Sequence, residues 1–329
     1  MWFIGLYRPR AEGRFFSAAL AVAAALVFMG CAPVVENRLD SHTATARDAY
    51  PPEGRLLTVN GRTVHAHVQG NGPDVILLHG ASGNLRDFTF DLSDRLARSY
   101  RVVAFDRPGL GWSDDLEGRA SVDPANQARV LRAAAQQLGV RNPVVLGHSY
   151  GAAVALAWAL EAPQDTRGLV LVSGATMPWP GGLGFWYTLT ASRIGGATIV
   201  PLLAATINPE RAEALVARIF APQPVPPGYV DHIGVELALR PKQIRTNSRQ
   251  VNGLNDALER MREQYSTLAL GVELIHGDAD HIVPIDVHAE QLSKILPNAR
   301  LTRLEGVGHM PHHSNPEAVI AGIDRLMRR

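Results

Sequence analysis

From residue 55 onward, short apolar runs recur along the chain, each closed by Gly, Asn, Asp or Pro. Val75-Ile76-Leu77-Leu78, Val102-Val103-Ala104-Phe105, Pro143-Val144-Val145-Leu146 and Leu169-Val170-Leu171-Val172 are too short for helices and apolar at every position. That is how strands read when a parallel sheet buries both of their faces. Strands are expected near residues 55–59, 62–68, 74–79, 101–106, 143–148, 168–173, 272–276 and 299–304, alternating with helical patterns. Such alternation specifies an α/β fold with a mostly parallel eight-stranded sheet and helices on both faces. Between Pro178 and about Thr267 the alternation stops. Helical patterns at Pro209 to Phe220 and Val251 to Tyr265 replace it, broken by Pro222, Pro224, Pro226 and Pro227, so a helical insertion is expected there.

The most informative junction is Gly147-His148-Ser149-Tyr150-Gly151, which joins a buried strand to the alanine-rich run Ala152 to Trp158. A serine on so tight a strand-to-helix turn is a nucleophile elbow, G-x-S-x-G. A serine hydroxyl is a weak nucleophile near neutral pH and needs a general base, which in turn needs an orienting carboxylate. Candidates follow in the order acid then histidine: Val272 to Pro284 ends in a loop carrying Asp278 and Asp280, and Leu301 to Pro311 presents His309. Here the chain resembles the α/β-hydrolase superfamily, from about Gly61 to its C-terminus. The acid pattern G-x-x-D-x-x-x-P then falls on Gly277, Asp280 and Pro284, and the base loop on Gly306-Val307-Gly308-His309.

Two upstream motifs extend the resemblance. Val75 to Leu78 runs into His79-Gly80-Ala81, like the family's oxyanion loop, which implies that the backbone amides of Ala81 and Tyr150 form the oxyanion hole. Asp106-Arg107-Pro108-Gly109-Leu110-Gly111-Trp112-Ser113 is similar to the family's D-x-x-G-x-G-x-S turn and reads as architecture, with Asp106 bonding backbone amides. The resemblance further implies a capped α/β-hydrolase fold over residues 54–329 with its helical cap at about 178–267, no cofactor, and a catalytic triad of Ser149, Asp280 and His309. The implied reaction is hydrolysis of a small-molecule ester-like bond, whether carboxylic ester, lactone or amide. Carbon–carbon bond hydrolysis, haloperoxidase-like perhydrolysis and lyase chemistry remain open on the same scaffold. Branches that place Asp at the elbow are disfavoured by Ser149.

Each candidate has a plainer reading. Asp280 could cap the helix that follows near Ile285, and Asp278 is its rival for the acid role. No carboxylate lies between Leu169 and Met177, which leaves the later loop as the source of the acid. His65 and His67 alternate on a strand and could share a face, and His312 and His313 read as solvated. With no cysteine in the main domain and no H-E-x-x-H, no metal site is expected. Trp179, Phe185, Trp186 and Tyr187 could line a substrate pocket, or could simply pack the insertion onto the sheet.

The 329 residues are 46% apolar with a net charge of +1, an ordinary globular balance that argues against a nucleic-acid partner. The N-terminus departs from this. Arg8, Arg10 and Arg14 precede the uncharged run Phe15 to Gly30, which ends at Cys31, the only cysteine. A basic flank and an apolar run form a targeting segment. The cysteine directly after it resembles a bacterial lipoprotein signal, which implies acylation of Cys31. An uncleaved anchor or an ordinary cleaved signal are the alternatives. In each case the expected location is the bacterial cell envelope outside the cytoplasmic membrane, because positive flanks stay inside. Residues 32–53, polar and turn-rich, are expected to act as a tether from the membrane segment of residues 1–31.

Overall fold

A computed structural model describes residues 40–118, 120–179, 185–192, 195–200 and 209–328. The targeting segment, Cys31 and the first part of the expected tether lie outside the described residues. Eight strands form one sheet: β1 (Arg55–Val59), β2 (Arg62–Gln69), β3 (Asp74–Leu78), β4 (Arg101–Phe105), β5 (Val144–His148), β6 (Gly168–Val172), β7 (Gly271–Gly277) and β8 (Ala299–Leu304), in the order β1-β2-β4-β3-β5-β6-β7-β8. β2 is antiparallel to β1 and β4, and all other pairs are parallel. This is the eight-stranded, mostly parallel arrangement that the resemblance implies, and each strand lies within a residue or two of its expected place.

Alternation along each strand divides the core. Ile76 and Leu78 of β3, Val103 and Phe105 of β4 and Val145 of β5 face one layer, packed against the helices α4 (Pro124–Gln137) and α5 (Tyr150–Glu161). Val75, Leu77, Val102, Ala104, Val144 and Leu146 face the other, against Phe88 of α2 (Arg86–Thr89), Leu92 and Leu96 of α3 (Leu92–Leu96), and Val319, Ile323 and Leu326 of α14 (Pro316–Met327). Truncating a residue such as Leu77, fully buried between the two layers, to alanine should cost about 2–5 kcal/mol. α4 starts where Pro124 supplies a preset first turn and the Asp123 carboxylate accepts the Ala125 amide at 2.9 Å.

Between β6 and β7 the chain builds the helical insertion: α6 (Phe185–Ala191), α7 (residues 195–200), α8 (Pro209–Phe220), α9 (Tyr229–Ile233), α10 (Val235–Ala238) and α11 (Pro241–Arg262). α8 occupies the range read from the sequence. α11 begins ten residues before the expected Val251, at a proline in its first turn. The buried face of its first half is polar, with Gln243, Thr246, Asn247, Ser248 and Gln250, so an apolar periodicity could not reveal it. Trp179 packs against the sheet core and lies 5.9 Å from the His288 ring. Phe185, Trp186 and Tyr187 fall on α6, and their side chains lie outside the described residues.

The second half of the expected tether differs from that reading. Residues 40–49 form a helix, α1, with Ala46 buried. Arg47 stacks 4.8 Å over Trp112, and the Tyr50 carbonyl accepts the Trp112 indole N–H at 3.0 Å. Composition alone reads this stretch as linker, whereas Trp112 offers it an aromatic surface to fold onto. No helix among the described residues is long and apolar enough to cross a membrane. α12 (Ala289–Ile295) and α13 (Pro311–Ser314) complete the helices.

Candidate active site

Ser149 sits between β5 and α5 with φ 52° and ψ −119°, a left-handed strain that a non-glycine residue adopts only where its surroundings enforce it. They do so here. The Ser149 amide donates to the Val172 carbonyl at 3.0 Å, and the Ala175 amide donates to the Ser149 carbonyl at 3.1 Å. A Cβ on Gly147 would strike the Gly151 backbone, and one on Gly151 would strike the Leu78 carbonyl, so only glycines let strand and helix approach this closely. Tyr150 is the first residue of α5, and its amide therefore has no partner within the helix.

The oxyanion loop leaves β3 beside the serine. A Cβ on Gly80 would lie 3.1 Å from the Ser149 Cβ, so the loop that continues into Ala81 passes in contact with the nucleophile candidate at Gly80. Its shape is held from below by Arg107, a fully buried residue. The guanidinium donates to the His79 carbonyl at 2.8 Å and the Gly80 carbonyl at 3.0 Å, to the side-chain oxygens of Gln127 and Gln250, and lies 4.2 Å over the Tyr150 ring. Burial lowers the Arg107 pKa to about 10, which leaves it charged at neutral pH. His79 accepts the Arg107 amide at 3.0 Å through Nε2 and donates to the Gly80 carbonyl through Nδ1. Burial, with the Arg107 charge behind it, lowers its pKa to about 4 and keeps it neutral. From above, the Asn247 side chain of α11 accepts the Ser82 amide at 2.7 Å and donates to the Ser82 hydroxyl at 2.9 Å.

Asp106 has the architectural place expected of it. Its carboxylate accepts the Leu85 and Trp112 amides, each at 2.7 Å, and pairs with His65 Nδ1 at 2.7 Å. Gly111, at φ +53°, leaves room for that carboxylate where a Cβ would strike it.

Asp280 and His309 meet on the loops after β7 and β8. The imidazole Nδ1 lies 2.8 Å from Asp280 Oδ2, while Asp280 Oδ1 accepts the Ile282 and Val283 amides at 2.9 Å each. Burial pulls the Asp280 pKa upward, but hydrogen bonds from His276 and His309, the His309 charge and the Val283 amide outweigh it and hold the carboxylate well below its usual range. Asp278 faces away, is exposed and accepts the Gly306 amide at 2.7 Å. His309 is tied to the elbow through His148, whose Nε2 donates to the His309 carbonyl at 2.9 Å, the two rings lying 4.9 Å apart. The structure thus shows a strained serine at the elbow and, on the neighbouring loops, an imidazole paired with an anionic carboxylate.

The expectation that His312 and His313 are solvated is wrong. Their side chains are 0% and 1% exposed, and their Nε2 atoms donate to the Asp87 carboxylate at 3.1 and 2.8 Å, which also accepts the Tyr229 hydroxyl at 2.7 Å. The cause is α13: a turn of helix directly after the base loop rotates both rings inward, where the sequence shows only a polar pair. His65, bound to Asp106, is structural. The sequence reading also passed over Arg107, Asn247, His148 and Asp87 as parts of the site. Only Arg107 left a signal there, as a cation two residues after the apolar run Val102 to Phe105.

The profile of the alpha/beta hydrolase family matches residues 75–322. A pimeloyl-[acyl-carrier protein] methyl ester esterase of Nitrosomonas europaea is 28% identical over 280 residues, 80% of this chain and 99% of the esterase. A 2-hydroxymuconate semialdehyde hydrolase of Pseudomonas putida is 28% identical over 268 residues, 79% of this chain and 88% of the relative. Among solved structures, 2-hydroxy-6-oxo-6-phenylhexa-2,4-dienoate hydrolase from Rhodococcus sp. strain RHA1 superposes with a TM-score of 0.69 at 22% identity, covering 83% of this chain and 98% of the other. The profile match spans most of the chain, the sheet order and the elbow agree with it, and the protein belongs to the alpha/beta hydrolase family.

Proposed function

We propose that the protein is a serine hydrolase that cleaves a small-molecule ester-like bond through an acyl-enzyme. The observation that carries this reading is the 2.8 Å bond between Asp280 and His309, whose carbonyl is held by His148, the residue preceding the strained Ser149. Ser149 Oγ attacks the carbonyl carbon while the imidazole of His309 takes the hydroxyl proton. The negative charge that develops on the carbonyl oxygen is held by the Ala81 and Tyr150 amides, each such donor being worth on the order of 3 kcal/mol. His309 returns the proton to the leaving group, and a water activated by the same imidazole then releases the acid. Asp280 stays ionised and fixes the ring. The methyl ester esterase among the relatives supports an ester as the substrate class. A second reading, carbon–carbon bond hydrolysis by the same serine, draws its support from the equally similar 2-hydroxymuconate semialdehyde hydrolase.

A serine-directed phosphonate separates these from a protein that only binds. Labelling of Ser149 with loss of turnover on a panel of acyl esters is the expected result, and ester turnover that survives complete labelling would sink the proposal. Turnover of a dienol ketone with no turnover of esters would select the second reading. The apolar run ending at Gly30-Cys31 supports placing this activity in the bacterial cell envelope, on an acylated Cys31. Cys31→Ser should then abolish fatty-acid labelling, and an unlabelled wild-type protein would exclude the lipid anchor.

A further inference from the structure

Beneath the candidate triad lies a second cluster, built from three separate parts of the chain. Asp87 comes from α2, His148 from the end of β5, and His312 and His313 from α13. The Asp87 carboxylate and one nitrogen of each of His312 and His313 all lie within 4.8 Å of one another. His148 faces the same carboxylate. Its Nε2 carries the proton given to the His309 carbonyl, so a neutral ring has a lone pair on Nδ1, and that atom is buried, without a hydrogen-bond partner, and 3.9 Å from Asp87 Oδ2.

Two electron-rich atoms face each other there in a buried space, too far apart for a direct hydrogen bond and without a proton between them. Asp87 makes no ion pair with Lys or Arg among the described residues; its only partners in such pairs are these three histidines. A buried anion held only by imidazoles and a phenol leaves charge to be balanced. Ligands of one tetrahedral zinc-sized ion stand ~3.3 Å apart, given bonds of ~2.0–2.1 Å. From Asp87 Oδ2 the separations of 3.1 Å to His312 Nε2 and 3.9 Å to His148 Nδ1 bracket that spacing, and His313 Nε2 stands 2.8 Å from the other oxygen.

We propose that Asp87, His148, His312 and His313 form a buried binding site for one divalent transition-metal ion of the zinc class. One carboxylate and three imidazoles suit Zn²⁺ or Co²⁺, whereas Mg²⁺ and Ca²⁺ favour all-oxygen sets. To ligate through Nε2, His312 and His313 would carry their proton on Nδ1, an atom that is buried and without a hydrogen-bond partner in each ring. His148 keeps its Nε2 proton on the His309 carbonyl, which is the outer hydrogen bond that commonly orients a metal-bound imidazole. The burial of His148, with the His312 and His309 charges near it, holds its pKa well below the ordinary value, in the neutral state a ligand needs. The ion would bolt the elbow strand to the segment that follows the base. No spacing motif announces such a site, because its ligands come from residues 87, 148 and 312–313.

The test needs no assumption about the reaction. Full-chain protein is stripped with a chelator, titrated with ZnCl₂ by calorimetry, passed through a desalting column and assayed for metal content. CoCl₂ is added in parallel to read the visible d–d absorption of a tetrahedral site. One Zn²⁺ retained per chain, intense Co²⁺ bands and a melting temperature that rises with zinc are expected, with all three lost in Asp87→Asn and in His313→Gln. Wild-type protein that retains no zinc overturns the proposal without any variant. So does zinc retained by folded His313→Gln and Asp87→Asn, since the ion would then sit elsewhere among the twelve histidines. If Asp87→Asn does not fold, the wild-type titration and His313→Gln decide.

Discussion

Asp280 and Asp87 are both buried carboxylates, and the histidines bonded to them most closely, His309 on one and His312 and His313 on the other, lie within five residues of one another, yet the two groups are held differently. Asp280 takes two amides from its own loop, the His309 imidazole at 2.8 Å and a longer contact to His276 at 3.4 Å on the preceding strand, so its position is set largely by its own strand and loop and its charge is directed at His309. Asp87 takes no amide among the described residues. Its partners are Tyr229, His312 and His313, side chains from α9 and α13, so its position depends on three elements at once. Each carboxylate is held well below its usual pKa against its burial. A carboxylate fixed by its own backbone orients a partner, whereas one fixed by distant side chains cross-links the fold.

The sharpest way to break this distinction is to remove the chemistry itself. Ser149→Ala and His309→Ala should each cut kcat by up to ~10⁶ while the proteins still fold, and the double variant should lose little more, because the residues act as a unit. Additive losses in a steady-state ester assay would mean that they do not. Next comes the pair of carboxylates. Asp280→Asn should lower kcat by as much as ~10⁴ with little change in melting temperature, because the productive imidazole tautomer is lost. Asp87→Asn should lower the melting temperature and cost kcat no more than ~10-fold, and Asp278→Asn should do neither. Equal kcat losses for Asp280→Asn and Asp87→Asn would erase the contrast. Arg107→Gln tests the support of the oxyanion loop: a misplacement of about 1 Å is worth ~10² in rate, so kcat should fall by about that factor with KM little changed. A rise in KM with kcat unchanged would assign Arg107 to substrate binding instead.

A further effect is read in stability rather than in rate, on the acid side, and it belongs to neither carboxylate. His79 and His288 have pKa values lowered to about 4, chiefly by burial. An unfolded histidine takes up its proton near ~6.5, so below that pH the unfolded chain binds protons that the folded chain refuses. Stability is therefore complete above ~6.5 and declines as pH falls toward 4, by up to about 1.4 kcal/mol per pH unit for each such ring. The share that the depressed Asp280 contributes is lost only below ~3.9. Melting temperatures measured from pH 8 to 4.5 should be level at first and then fall from about 6.5. A level profile down to 4.5 would show that these rings charge without penalty.

The strands were legible because burial on both faces leaves a continuous apolar run, and the elbow because strain and close approach demand glycines at fixed offsets. Asp280 and His309 could be placed because each sits at a set distance from Gly277, Pro284 or Gly308. Asp87, His148 and Asn247 carry no such mark. They act across separations of 61 to 226 residues, and a polar residue on a helix reads as solvent-facing unless its partner is already known. The first half of α11 was hidden for the same reason, its inner face being polar. Residues 40–49 were misjudged because composition cannot see Trp112.

The two hydrogen bonds between Asn247 and Ser82 bear on how this scaffold can be re-engineered. Exchange of the helical insertion between relatives is an obvious route to new substrates, since the insertion reaches the loop after β3 while the sheet holds the serine. Here one side of the oxyanion loop is latched to that insertion. A transplanted insertion lacking an amide side chain at this position would change selectivity and loosen the catalytic loop in the same step, so Asn247 must travel with the graft or be rebuilt in it.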